Sequence, residues 1–203
     1  MPQLLTLTTE LEAVNTMIEI SGETPLNSLT GDLPLDAEVA QKILYKTSRK
    51  VQSKGWHFNT ECDLPLVPNQ DSEIELATTI LKIDVDNRRY TNIDPVQRGG
   101  KLYDTKNRTY TFDNTLYAEA VYFLPFTELP EAAREYITIK AGRIFQKRFV
   151  GSELIDAFTQ QDEFEALTDL RDAHLETGDY NILSQSSGIL SRTGYTRIGN
   201  GSS

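Results

Sequence analysis

The sequence predicts an α+β fold: a four-helix bundle interrupted between its second and third helices by a β-rich antiparallel insertion, with a flexible C-terminal tail. Three features point there. Apolar residues recur at helical spacing in residues 1–55 and 127–183, which form the expected bundle domain. In residues 56–126 β-branched and aromatic residues alternate between turn signals, as in short strands joined by hairpins. Residues 184–203 are rich in Ser and Gly and contain no acid, too little apolar surface to offset the entropy of ordering.

The first helix is carried by Leu7, Leu11, Val14 and Ile18, a single stripe on a 3.6-residue period. Thr9 and Glu12 have the spacing of a capping box, and Gly22 sits where the helix should stop. Pro25 and Gly31-Asp32 mark a turn-rich connection. Asp36 is the expected N-cap of the second helix, whose inner face is Ala37, Ala40, Leu44, Thr47 and Val51 and which halts at Gly55.

Strands are expected at Thr79–Val85, Arg89–Thr91, Lys101–Tyr103, Thr109–Phe112 and Tyr117–Phe123. Turns at Asp86-Asn87, Gly99-Gly100 and Lys106-Asn107 separate them. Beyond Leu129-Pro130 the helical period returns with Ala133, Ile137, Ala141 and Ile144. Gly151 breaks this third helix, and Ser152 is the expected cap of the fourth.

The third helix is basic, with Arg134, Lys140, Arg143, Lys147 and Arg148. On the fourth, Asp162, Glu165, Asp169, Asp172 and Glu176 form one acidic stripe, and Phe164, Leu167 and Leu170 are assigned to the other side. Helices joined by a tight turn pack antiparallel, and opposite charge helps pair them. The acidic stripe reads as a solvated or partner-facing surface.

Charge restricts the function further. Twenty basic against thirty acidic residues give a net charge of −10 and a pI near 4.7. Duplex affinity comes largely from Lys and Arg displacing counterions, so a broad grip on DNA or an anionic membrane is not expected. Such a chain can border DNA without holding it. No run approaches the ~20 apolar residues of a membrane span. The N-terminal sequence lacks the basic and apolar regions of a secretory signal. Cys62, the single cysteine, cannot form an intrachain disulfide, and a reducing compartment is expected.

Catalytic and metal signatures were sought. His57 and His174 are the only histidines, far apart in sequence and without zinc-site spacing; each is expected to be a packed or surface residue. No G-x-S-x-G elbow is present. Arg98-Gly99-Gly100-Lys101 lacks phosphate-loop spacing and reads as a hairpin turn. Tyr103, Tyr110, Phe112, Tyr117 and Tyr122 are mostly core or cross-strand residues. No cofactor or metal is expected, and no enzyme emerges.

Several segments carry a family resemblance. Glu10-Leu11-Glu12-Ala13-Val14-Asn15 followed by Gly22-Glu23-Thr24-Pro25 resembles the opening of the tail tubular protein A family of short-tailed bacteriophages, the adaptor or gatekeeper ring subunits. The likeness continues through Val51-Gln52-Ser53-Lys54-Gly55-Trp56-His57-Phe58-Asn59 and Arg98-Gly99-Gly100-Lys101-Leu102-Tyr103-Asp104. It resumes at Leu129-Pro130-Glu131, along Tyr136 to Ser152 and at Gly178-Asp179-Tyr180-Asn181. Each motif is weak alone. Their ordered set is specific.

The resemblance implies a structural virion protein with a helical bundle and an inserted β-domain. Family members form a twelve-subunit ring between the portal protein and the nozzle (tail tubular protein B). Tail fibres attach near that junction, and DNA passes through the channel without specific binding. The location implied is the virion tail, with the host cytoplasm during assembly. Within that reading, Arg134, Lys140, Arg143 and Lys147 against Asp162, Glu165, Asp169, Asp172 and Glu176 are candidate complementary surfaces, within a subunit or between neighbours. Ile189, Leu190, Arg192, Tyr195 and Arg197 form a candidate docking strip that orders on a partner. Two alternatives stand beside it. One is a carbohydrate-active tail hydrolase using paired carboxylates on the insertion. The other is a small adaptor, a chaperone or fibre-attachment protein, without ring symmetry.

Overall fold

The computed structural model describes residues 7–19, 22–86, 88–149 and 159–185, with the backbone alone for Phe149 and for 178–185. Within them lie four α-helices and five strands: α1 (Glu10–Ile18), α2 (Leu35–Gln52), β1 (Thr60–Leu66), β2 (Ile80–Val85), β3 (Pro95–Arg98), β4 (Lys101–Asp104), β5 (Leu116–Tyr122), α3 (Glu131–Phe149) and α4 (Gln160–Gln185). The fold is mixed α+β, with antiparallel sheets.

The capping box at Thr9 is present. The Glu12 amide donates to the Thr9 hydroxyl at 3.2 Å, and the Glu12 carboxylate accepts from the Thr9 amide at 2.7 Å. That amide holds the Glu12 carboxyl below its usual range. Ala13, Val14, Met17 and Ile18 are buried, while Leu7 precedes the helix and is exposed, so the expected stripe starts one turn too early. The Asn15 amide then clasps the Leu26 backbone through both its oxygen and its nitrogen, at 2.8 and 2.9 Å, and fixes the turn into α2.

Every expected inner residue of α2 is buried, and Ile43, Ser48 and Gln52 join them. Asp36 is not the cap. Pro34 occupies that position without a side-chain bond, and Asp36 lies in the first turn, where its charge complements the helix dipole. α3 is covered almost all round, with Ala133, Tyr136, Ile137, Ala141 and Phe145 fully buried and Ile144 packed at the edge. It packs against α1, α2 and α4.

α4 begins at Gln160, where Thr159 and Asp162 exchange hydrogen bonds of 2.7 and 3.0 Å; the expected cap, Ser152, lies outside the described residues, as does Gly151. Ala166 and Leu170 are buried and Leu167 is packed beside them, but Phe164 is 62% exposed and belongs to the outer face. The helix runs to Gln185, two residues into the expected tail; the remaining tail lies outside the described residues.

All five strands fall between α2 and α3. β5 is central in a three-stranded sheet ordered β1-β5-β2, and β3 pairs with β4 as a hairpin through Gly99 and Gly100, both at positive φ as the tight turn requires. Pro65 is tolerated because β1 is an edge strand. Two expected strands are absent. Arg89–Thr91 is a turn, because the Asp86 carbonyl accepts from the Arg89 and Tyr90 amides. Thr109–Phe112 makes only isolated bridges, drawn out of line by the Thr111 amide bonding the Thr109 hydroxyl. β1 and β3 were not expected; their polar and proline-containing sequences show little alternation.

Two separate buried clusters result. One joins the four helices to Trp56, Phe126 and Leu129, and the other holds Leu66, Ile74, Leu76, Ile80, Val85, Leu102, Phe112, Leu116 and Ala118 between the strands and loops. Each fully buried large side chain contributes about 1.5–3 kcal/mol.

Candidate assembly surfaces

α3 and α4 meet through a charged contact. Glu163 of α4 accepts hydrogen bonds from both Lys140 and Arg143 of α3, and all three side chains are only about one-fifth exposed. Lys140 also donates to the Tyr136 hydroxyl at 3.0 Å. Burial alone would raise the Glu163 carboxyl, but the two cations outweigh it and hold it below the usual carboxylate range. For Lys140 burial acts against the ammonium, and the bonds to Glu163 and Tyr136 overcome it, raising its pKa. The acid that unites the helices is thus Glu163, one residue outside the acidic stripe of the sequence reading. Helical phase places it beside the buried Ala166 and Leu170, a signal that the search for a continuous acidic stripe passed over.

Arg134 does not belong to any outer basic surface. It is buried, and its guanidinium donates to the carbonyls of Leu129 at 2.7 Å, Thr8 at 2.9 Å and Thr127 at 2.6 Å. It clamps the chain entering α1 to the loop entering α3. Lys147 is exposed near the end of α3. Asp162 is committed to capping, its carboxyl lowered chiefly by the Thr159 amide.

The other four acids do share a surface. Glu165, Asp169, Asp172 and Glu176 are exposed along the outward side of α4, and among the described residues none has an ion-pair partner. Phe164 and Leu175 lie on the adjoining strip, 62% and 59% exposed. Exposed aromatic side chains such as Phe164 are enriched at interfaces. A second outward face, on α2, carries Lys42, Lys46, Arg49 and Lys50, all exposed. Their spacing of i, i+4, i+7 and i+8 was legible in the sequence.

Sequence comparison places the chain in a family. The model of the family Tube, described as tail tubular protein, matches residues 11–180. The chain belongs to the tail tubular protein family. It is also 27% identical over 129 residues to tail tubular protein A of Klebsiella phage KP34, a stretch covering 63% of this chain and 66% of that relative. The chain therefore spans just under two-thirds of the length of the curated relative it matches. Family membership makes it a structural component of a phage tail.

The structure also brings together what the sequence of this tail tubular chain keeps apart. His57 lies in a 3₁₀ turn, His57–Asn59, and its backbone amide donates to His174 Nδ1 of α4 at 3.1 Å. The two imidazoles are 6.5 Å apart, and His174 meets the Trp56 ring edge-on at 5.5 Å. The two meet because α4 packs against the turn that opens the strand region; His57 is exposed and His174 half-buried. Beside them Thr60 Oγ1 is buried without a hydrogen-bond partner, in the wall of a cavity of about 320 Å³. No group of three or more His, Cys, Asp or Glu suited to a metal ion occurs among the described residues.

The strand region holds a larger concavity of about 510 Å³ lined by Asp63, Asp84, Asp86, Glu119, Arg88 and Arg89. Arg89 lies 4.4 Å above the Tyr117 ring and 3.6 Å from the Asp63 carboxylate. Glycoside cleavage needs one carboxyl kept protonated. Asp86 is not that group, since the Arg88 amide lowers it. The strip Ile189, Leu190, Arg192, Tyr195 and Arg197 lies outside the described residues.

Proposed function

We propose that this chain is a ring-forming tail adaptor, a gatekeeper, that joins the portal protein to the nozzle and forms part of the DNA ejection channel. The observation that carries the reading is the outward face of α4. Four carboxylates without an ion-pair partner among the described residues and two exposed apolar side chains run along one helix of a tail structural protein. Identical copies close into a ring through heterologous contacts, and such contacts need two different exposed patches on one chain.

The charge supports passage of DNA. At −10 the subunit offers few phosphate contacts that a moving duplex must break, so DNA slides through without specific binding. We read the helical cluster (residues 1–55 and 127–183) and the strand cluster (56–126) as two domains, a bundle and an insertion that enters and leaves it through neighbouring segments. The partners proposed are other copies of the chain, twelve in all, with the portal, the nozzle and a nearby tail fibre. Residues 186–203, with Ile189, Leu190, Arg192, Tyr195 and Arg197, are assigned to docking on a neighbour. Assembly takes place in the host cytoplasm and the product is the virion tail.

Imaging of purified tail complexes tests this. Twelve copies between portal and nozzle are expected; a single copy, or none at the neck, overturns the reading. Truncation before Ser186 is expected to weaken portal or nozzle binding. Turnover of a capsular or cell-wall polysaccharide, traced to one carboxylate, would instead favour a tail hydrolase.

A further inference from the structure

We infer that the outward face of α2 is the surface that receives the outward face of α4 from a neighbouring copy of the chain. The inference rests on the ring reading and names the contact that would build it.

Among the described residues no element covers either face; α3 packs on the opposite sides of both helices. Their charges are opposite. α2 presents Lys42, Lys46, Arg49 and Lys50, of which only Lys42 has an ion-pair partner among the described residues, its helical neighbour Glu38 at 3.0 Å. α4 presents Glu165, Asp169, Asp172 and Glu176. Lys46, Arg49 and Lys50 of α2 and the four carboxylates of α4 have no ion-pair partner among the described residues, and a second copy can supply one to each.

The apolar residues agree in spacing. Leu35 and Tyr45 on α2 are 72% and 43% exposed, ten residues apart. Phe164 and Leu175 on α4 are eleven residues apart. At 1.5 Å per residue these separations are about 15 and 16–17 Å. Two helices laid side by side can therefore match the apolar pairs in axial spacing, although Leu35 and Tyr45 lie about 80° apart around α2. These apolar contacts contribute alongside the charges, since exposed ion pairs are individually weak. The charges set orientation and partner.

They also restrict symmetry. An α4-to-α4 contact would oppose four carboxylates with four more, and an α2-to-α2 contact would oppose cations. Pairing of either face with its own copy is disfavoured by the same groups that favour the mixed contact. Repeated head to tail, the mixed contact closes into a ring when the rotation per subunit permits, and a reciprocal pair would stop at a dimer.

The test uses tails assembled with the full chain. In a Cys62→Ser background, Lys46→Cys is combined with Glu176→Cys or Glu165→Cys, the acids nearest its level in the parallel and antiparallel alignments of the two helices, and the tails are mildly oxidised. A ladder of cross-linked oligomers is expected from a double variant and no product from any single variant. In parallel, Lys46→Glu with Lys50→Glu is expected to lower the copies per tail by at least about tenfold, the equivalent of 1.4 kcal/mol. Asp169→Lys with Asp172→Lys should do the same, and the four changes together should restore assembly. Circular dichroism of each variant confirms that these exposed substitutions leave the fold intact. Many copies per tail with no ladder and no effect of either reversal would overturn this contact and leave the ring standing. Cross-linked dimers from a single variant would overturn it in favour of a two-fold contact. One copy per tail would remove the ring and the contact together.

Discussion

Gln52 and Leu124 hold each other by two hydrogen bonds across 72 positions of sequence. The Leu124 amide donates to Gln52 Oε1 at 2.8 Å, and Gln52 Nε2 donates to the Leu124 carbonyl at 3.0 Å. Gln52 ends α2 and is fully buried, while Leu124 follows β5, so one amide ties the entry of the strand region to its exit. Asn59 reinforces the joint, donating to the carbonyls of Gln52 and Tyr122. Replacing Gln52 by Ala strands two buried backbone groups, each worth about 1–3 kcal/mol. A loss of about 3 kcal/mol is expected for Gln52→Ala, read as a lower urea midpoint at unchanged slope.

Glu163 joins α3 to α4, and its contribution depends on pH. Its folded carboxyl titrates below its ordinary value of 4.5, so the stabilisation is complete above that pH and is lost as pH falls through the lowered value. Glu163→Gln should cost about 2 kcal/mol at pH 7, less than the ~3–5 kcal/mol of a fully buried pair because the group is partly wet. Denaturant midpoints of the two proteins, measured from pH 7 to pH 3, are expected to converge on the acid side. A constant difference across that range would refute the assignment.

Gly55 follows α2 at φ +76°, and a Cβ there would meet Val121 Cγ2 at 3.2 Å and Thr60 Oγ1 at 3.4 Å. Left-handed backbone alone costs a side chain about 1–2 kcal/mol. Gly55→Ala is expected to lower Tm by roughly 4–8 °C, the equivalent of about 2 kcal/mol in a chain this long. Calorimetry checks it.

The two histidines contribute different parts of one bond. His174 accepts through its ring, and His57 donates through its backbone. His174→Ala should therefore speed hydrogen exchange at the residue 57 amide, whereas His57→Ala should leave that amide protected. Equal effects of the two substitutions would contradict the geometry.

Local patterns were the legible part of this fold. The Thr9–Glu12 box, the inner face of α2 and the Gly99-Gly100 hairpin are set by neighbours within a few residues, and the alternation within β5 marked that strand although its partners are distant. β1 was hidden because its partner β5 is distant in sequence, β3 because Pro95–Arg98 shows no alternation, and the turn at Arg89–Thr91 because a backbone bond to the Asp86 carbonyl leaves no trace in side-chain pattern. The outer acids of α4 were legible as a stripe. Phe164 was misassigned, since an apolar residue carries no local sign of which side it will face.

The amino-acid order by itself settled composition, charge, the helical periods and the family motifs, all of which are properties of short stretches. Packing alone decided which charges stay at the surface. Burial turned Arg134 into a clamp for three carbonyls and Glu163 into a bridge between helices, because a charge taken out of water must find partners nearby. The cations of α2 and the outer carboxylates of α4 stay in water, where a charge needs no buried partner.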